Sequence, residues 1–143
     1  MSLHLPSGIK NEGDIIEKIL RESKTIAVVG LSSNPARPSY GVAAFMQRNG
    51  YRIIPVNPGE TEVLGEKAYA RLEDVPEKVD IVDVFRRSSE VGPVADSAIA
   101  IGAKVLWLQM GISDETAEAK AAAAGLIVVS DACLKVELGM RRA

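Results

Sequence analysis

Histidine and cysteine are almost absent from this chain of 143 residues, which has one of each. Cys133, alone, can form no internal disulfide, and four-cysteine metal centres are excluded. His4 is the only histidine and lies in the N-terminal arm, so multi-histidine zinc sites and a Ser-His-Asp triad are not expected. Aromatic residues make up 4% of the chain and are scattered, so no base-stacking platform is visible. Positive charge is not in excess either. A formal net charge of -2 gives no reason to expect nucleic acid as a partner. No apolar run approaches membrane-spanning length. Residues 1–13 lack the basic start and apolar core of a secretion signal. These absences predict a cytoplasmic protein with neither membrane nor nucleic acid as partner. The length predicts one domain over 1–143, with 1–13 as an N-terminal arm and enough chain for a three-layer core.

What the chain does have is alternation. Ile26-Ala-Val-Val29 is apolar at every position, as a central parallel strand buried on both faces requires. Strand patterns recur at 52–56, 80–84, 104–108 and 126–129. Between them lie helical patterns. Asp14-Ile-Ile-Glu17 resembles a capping box and opens a helix with Ile15, Ile16, Ile19 and Leu20 on one side. A second helix starts near Pro38, carries Val42, Phe45 and Met46, and stops at Asn49-Gly50. Ser88 or Ser89 is the expected cap of a third, with Val91, Val94, Ala95 and Ala98. Ser113 is the expected cap of an alanine-rich fourth. A fifth begins near Asp131 or Ala132 and carries Leu134 and Leu138. Helix, glycine, apolar strand repeats at Gly50, Gly102 and Gly125, which is the rhythm of βα units. The expected fold is α/β: a Rossmann-like, three-layer, five-stranded parallel sheet in the order 3-2-1-4-5 with helices on both faces. Pro55 resists that order, because its missing N–H would fall in a central strand. Residues 63–76 have weak periodicity and read as an irregular crossover.

In the expected order the chain reverses direction between strands one and four, and ligands bind at the strand ends beside such a reversal. Four loops should gather there, at 30–39, 57–59, 85–87 and 109–111. The first is the most informative. Gly30 allows the turn at the strand end. Ser32, Ser33 and Asn34 offer hydroxyls, an amide and backbone N–H groups expected to be free, and Pro38 suits a first helical turn. A helix N-terminus behind such a loop is a site for phosphate. Arg37 beside it is placed for a bidentate phosphate contact. The dinucleotide fingerprint G-x-G-x-x-G is missing, since Gly30 stands alone, and Asn57 replaces the acid that would hold a ribose. No Gly-Lys-Ser/Thr follows at P-loop spacing. Asp80, Asp83 and Glu137 are acids without a matching base or metal ligands around them, and read as structural.

Six segments together resemble the small bacterial CoA-binding proteins. They are Val29-Gly-Leu-Ser-Ser-Asn-Pro-x-Arg-Pro-Ser-Tyr40, Ile54-Pro-Val-Asn-Pro58, Val63-Leu-Gly-Glu-Lys67, Asp83-Val-Phe-Arg-Arg87, Val105-Leu-Trp-Leu-Gln-Met-Gly111 and Cys133-Leu-Lys-Val-Glu137. That family is similar to the N-terminal domain of the succinyl-CoA synthetase alpha subunit. The resemblance implies a cofactor, coenzyme A or an acyl-CoA, bound non-catalytically through its ADP moiety. It implies that Ser32, Ser33, Asn34, Arg37, Pro38, Ser39 and Tyr40 hold the pyrophosphate, with Gly30 behind them. Asn57 and Pro58 would edge the nucleotide, Val84, Phe85 and Arg86 would flank the adenine, and Gln109 and Gly111 would approach the pantetheine end. In the synthetase the phosphohistidine belongs to a later domain, so binding without catalysis is implied here. Relatives commonly carry a basic residue after the Asn-Pro turn, suited to the ribose 3′-phosphate. Gly59 and Glu60 stand there in this chain, which leaves Arg86, Arg87 or Lys67 to make that contact. Two other classes stay open at this point: a small NAD(P)- or nucleotide-sugar-dependent enzyme, and a regulatory subunit that reports CoA status to a protein partner.

Overall fold

A computed structural model describes residues 1–9 and 13–142; residues 10–12 of the expected N-terminal arm lie outside them. The elements in chain order are β1 (Ser2–His4), α1 (Ile15–Glu22), β2 (Thr25–Val29), α2 (Pro38–Arg48), β3 (Arg52–Val56), β4 (Glu62–Val63), β5 (Glu66–Lys67), β6 (Ile81–Val84), α3 (Val91–Ala100), β7 (Val105–Leu108), α4 (Glu115–Ala123), β8 (Ile127–Ser130) and α5 (Leu134–Arg141). Short 3-10 turns at Leu72–Asp74 and Ser88–Glu90 precede β6 and α3. Among the described residues no helix is long and apolar enough to cross a membrane.

The α/β layering is as expected, but the strand order is not. The main sheet has six strands in the order β1-β8-β7-β6-β2-β3. Numbered as the five expected strands, this is 2-1-3-4-5 rather than 3-2-1-4-5, with an additional antiparallel strand from the N-terminal arm. β1 pairs with β8 through Ser2 with Ser130 and His4 with Val128, and so covers an edge that would otherwise be open. The reversal of direction therefore lies between β2 and β6, not between β2 and β7.

Pro55 has a physical place in the observed order. β3 is the outer strand, and Pro55 sits opposite Val28 of β2. Its carbonyl faces outward and accepts the Tyr69 N–H at 3.0 Å. The N–H of a strand residue points the same way as its carbonyl, so the missing donor of Pro55 is missing from the edge, not from the β2 ladder.

Strand alternation divides the core. Ile26 and Val28 face α1, α2 and α5, with Ile19, Met46, Trp107 and Leu134. Ala27 and Val29 face α3 and α4, with Ala95, Ala98, Ala121 and Leu106. Trp107 is fully buried, and its indole N–H donates to the Ala132 carbonyl at 2.9 Å. Caps differ in detail from expectation. Asp14 caps α1, accepting from the Glu17 N–H. Asp114, not Ser113, caps α4 by accepting from the Ala117 N–H. Neither Ser88 nor Ser89 caps α3: both lie in the 3-10 turn before it, and the Ser88 hydroxyl accepts from the Ser113 N–H instead.

Two carboxylates serve the sheet in opposite ways. Asp80 accepts from the N–H groups of Lys24 and Thr25 at 2.8 and 3.1 Å, tying the start of β2 to that of β6. Burial raises its carboxyl, but these N–H groups and the Lys104 ammonium outweigh burial and hold it below the ordinary range. Asp83, in mid-β6 between Val28 and Trp107, is 1% exposed. The Gln109 amide donates to its Oδ1 at 2.6 Å, while Oδ2 has no partner among the described residues. Burial pushes this carboxyl up to about 8, against the smaller opposing effect of Gln109.

From about pH 4 to about 8 the folded chain therefore keeps a proton on Asp83 that the unfolded chain has lost. Stability falls with rising pH in that window, by up to about 1.4 kcal/mol per pH unit from this group. Asp80 acts with the other sign and only in acid, where its contribution disappears. Urea denaturation at pH 5 and pH 8 should show a steeper loss for wild type than for Asp83→Asn. Equal slopes would mean that Asp83 is ionised in the fold.

Candidate functional site

The site is built at the β2/β6 reversal from loops that are stitched together before any ligand arrives. Gly30, with φ +89°, ends β2, and its N–H donates to the Val56 carbonyl of β3 at 2.8 Å. A Cβ at Gly30 would lie 2.3 Å from the Phe85 carbonyl oxygen. The loops after β2 and β6 thus touch backbone to backbone, which only glycine permits. Leu31 then plugs into the core with no exposed surface. Asn57 crosses from the loop after β3: its amide donates to the Leu31 carbonyl at 3.1 Å, and its Oδ1 accepts the Gly59 N–H at 3.0 Å.

The backbone N–H groups of the 32–37 loop are not free, contrary to the expectation from sequence. The Ser32 N–H donates to Ser39 Oγ, Asn34 to Ser32 Oγ, Ala36 to Asn34 Oδ1, and Arg37 to the Asn34 carbonyl, all at 3.0–3.1 Å. The Ser33 N–H donates to the Glu60 carboxylate at 2.7 Å. The small polar side chains therefore hold the loop's shape. In the first turn of α2 Pro38 has no N–H and the Tyr40 N–H donates to the Arg37 carbonyl at 3.1 Å, so what is left for an anion is the positive end of that helix and the arginines. Pro38 occupies the first position of that helix and Arg37 its cap.

A cleft of about 670 Å³ opens over these strand ends. Gly30, Ser32, Arg37, Pro38 and Ser39 line one wall. Asn57 from the loop after β3, Phe85 and Arg86 from the loop after β6, and Gly111 from the loop after β7 complete it. Arg87, Ser88 and Ile112 also line it. Of these three the sequence pointed only to Arg87, as one candidate for the 3′-phosphate. Among the described residues neither Arg37 nor Arg86 pairs with a carboxylate, whereas Arg87 lies 3.5 Å from Glu90. Unpaired guanidiniums on a cleft with no acidic lining among the described residues suit it to an anion.

A second cleft of about 600 Å³ adjoins the first and shares Arg86 with it. Its walls are apolar: Val29, Val56, Pro58, Leu72, Pro93 and Val94. Its rim carries Arg71, Glu73, Glu90 and Ser97. Only Pro58 and Arg86 of this group were expected in the site. The rest come from β2 and β3 themselves, from the crossover, and from α3 with the 3-10 turn before it.

The remaining expected residues lie around the clefts and not in their linings. Ser33 and Asn34 are exposed on the outer loop. Tyr40 is half-buried and packs on the core between sheet and helices. Val84 is wholly buried in the α3/α4 layer. Gln109 is 4% exposed and turns inward to Asp83. Gly111, by contrast, does line the first cleft and is held from behind, its N–H donating to Asp131 Oδ1 at 2.6 Å. Lys67 lines neither cleft and stands over the Tyr69 ring, 5.3 Å from its centre. In the C-terminal motif, Glu137 pairs with Arg141 and Lys135 lies over Phe45.

An arginine-lined cleft and an apolar one lie side by side at the reversal of a parallel sheet, the place where open α/β folds bind ligands. A family model described as a CoA binding domain matches residues 24–139. The chain belongs to that CoA-binding domain family. It is 46% identical over 121 residues to the uncharacterized protein YneT of Bacillus subtilis, covering 85% of this chain and 90% of that one. The structure of a hypothetical protein from Pyrococcus horikoshii OT3 superposes with a TM-score of 0.88 at 36% identity, covering 100% of both chains. A more distant relative is an ADP-forming acetate–CoA ligase of Archaeoglobus fulgidus, 28% identical over 95 residues, which are 64% of this chain and 14% of the ligase.

The contact at Gly30 separates two glycines of this CoA-binding domain that share a left-handed backbone. Gly111, with φ +82°, has nothing within 4 Å of the place where a Cβ would stand. Gly111→Ala should lose only the left-handed strain, about 1–2 kcal/mol. Gly30→Ala adds the collision with Phe85 and should lose more than about 2 kcal/mol beyond that. Urea midpoints of the two variants test this. Equal losses would show that the loops separate at Gly30 at no cost.

Proposed function

We propose that this protein binds coenzyme A or an acyl-CoA through its ADP moiety and does no chemistry on it. The observation that carries this reading is the meeting of the two clefts at Arg86 in a CoA-binding domain. The pyrophosphate lies in the first cleft, before the N-terminus of α2 and between Arg37 and Arg86. The adenine enters the second cleft, against Val56, Leu72 and Val94. The ribose crosses the Asn57-Pro58 turn, and the pantetheine leaves past Gly111 and Ile112.

The lining supports binding without catalysis. Among the described residues the first cleft is lined by arginines, serines, an amide and apolar groups, with no carboxylate, imidazole, thiol or ammonium to move a proton. Ser32, Ser39 and Ser88 are hydroxyls without a base, and Ser39 Oγ already accepts a loop N–H. The likeness to the acetate–CoA ligase extends over 14% of that enzyme, a domain-sized part of it.

Titration calorimetry should show CoA binding and no binding of NAD; tighter binding of NAD would overturn the reading. Arg37 is exposed and unpaired, so Arg37→Ala should leave the stability of the free protein unchanged. It should weaken CoA by about 1.5–3 kcal/mol, the range of a charge-assisted hydrogen bond. Unchanged CoA affinity would remove Arg37 from the site.

A further inference from the structure

Charge is divided unequally between the two clefts. Arg37, Arg86 and Arg87 line the first, which has no acidic lining among the described residues. The second carries Glu73 and Glu90, and its Arg71 lies 3.3 Å from Asp74. The clefts join at the turn that begins with Asn57 and ends with Glu60, closed by the Glu60 N–H donating to the Asn57 carbonyl at 3.1 Å. Asn57 lines the first cleft and Pro58 the second. Glu60 is half-buried and lines neither cleft; its bond to the Ser33 N–H, on the loop after β2, fixes a negative charge beside that junction. A nucleotide that spans both clefts sets its ribose there.

We propose that Glu60 makes the site selective for a nucleoside diphosphate ester whose ribose bears no phosphate, so that 3′-dephospho-CoA and its acyl esters bind in preference to CoA. This rests on the two clefts being the ADP site. A ribose phosphate carries a charge of about -1.5 to -2 at neutral pH. At the junction it meets a fixed carboxylate where it needs a cation. The nearby cations have other partners. Arg52 is held by Glu66 and Glu77, Lys67 lies over Tyr69, and Arg86 faces the pyrophosphate. A bare diol carries no charge and meets no such repulsion.

The test is calorimetric titration of the full chain with CoA and with 3′-dephospho-CoA, for wild type, Glu60→Gln and Glu60→Lys, at low and high salt. Coulomb repulsion across about 7 Å of water, screened at 0.1 M salt, predicts that wild type binds the dephospho form about threefold more tightly. Glu60→Gln keeps an oxygen for the Ser33 N–H, so the loop stays closed, and should bring the ratio close to one. Glu60→Lys should reverse it, and high salt should flatten all three ratios. Wild type binding CoA more tightly overturns the selectivity while leaving the CoA reading standing. A ratio that Glu60→Lys does not move also overturns it. Failure of both ligands to bind overturns the two-cleft reading and this inference with it.

Discussion

At Gly30 and the Phe85 carbonyl two backbones of the site stand closer together than any Cβ would allow. The strands behind them, β2 and β6, are neighbours with Val29 opposite Val84, and Phe85 donates its N–H to the Val29 carbonyl at 2.8 Å. Their loops leave in opposite directions from that point. One runs up to α2 on one face of the sheet, and the other to α3 on the other face. The first cleft is the gap this divergence leaves, and Arg86, next to the contact, belongs to both clefts. With any larger residue at 30 the two strand ends would part. Arg37 and Arg86, which come from different loops, would then lose their common target.

The loop between β2 and α2 shows how a short polar segment prepares an anion site without using its own amides. Ser32, Asn34 and Ser39 consume the loop's N–H groups internally, and Asn57 anchors it to β3. A loop that is already hydrogen-bonded has little ordering entropy left to lose when a ligand binds. The cost is that recognition passes to long side chains, Arg37 above all, which must be ordered instead. Serine and asparagine in this segment are therefore scaffolding, although their chemistry alone suits them equally to phosphate contact.

The layering, the helices and the gathering of the strand-end loops around one cleft were legible in the sequence because each rests on local periodicity. The strand order was not, because right-handed crossovers are compatible with both 3-2-1-4-5 and 2-1-3-4-5. One residue did separate them. Pro55 is acceptable at an edge and awkward in the interior, and weighing it above the commoner order would have put β3 outside. β1 spans three residues, too few for any period to show. Ser113 and Asp114 are adjacent and both good caps, so composition could not choose between them. The second cleft was illegible because its walls come from the crossover, whose weak periodicity hid Leu72, and from α3, whose apolar positions read only as core. Gln109 misled for a related reason. A polar residue after an apolar strand looks like a ligand group, but its partner, Asp83, is a strand away.

Net charge was equally uninformative about the ligand. A protein with a formal charge of -2 would not be picked as a binder of polyanions. The charge that matters is local. Most of the arginines form ion pairs with acids: Arg52 with Glu66 and Glu77, Arg71 with Asp74, and Arg141 with Asp14 and Glu137 among them. These pairs cancel at a distance and contribute little field. Arg37 and Arg86 are left uncancelled on one side of the sheet, where α2 adds the positive end of its dipole. In a cleft walled by protein the field of two such groups is focused and less screened than on an open surface. The pairing of Arg52, Arg71 and Arg141 is thus part of the site's electrostatics, since it leaves Arg37 and Arg86 uncancelled in a molecule that is otherwise nearly neutral.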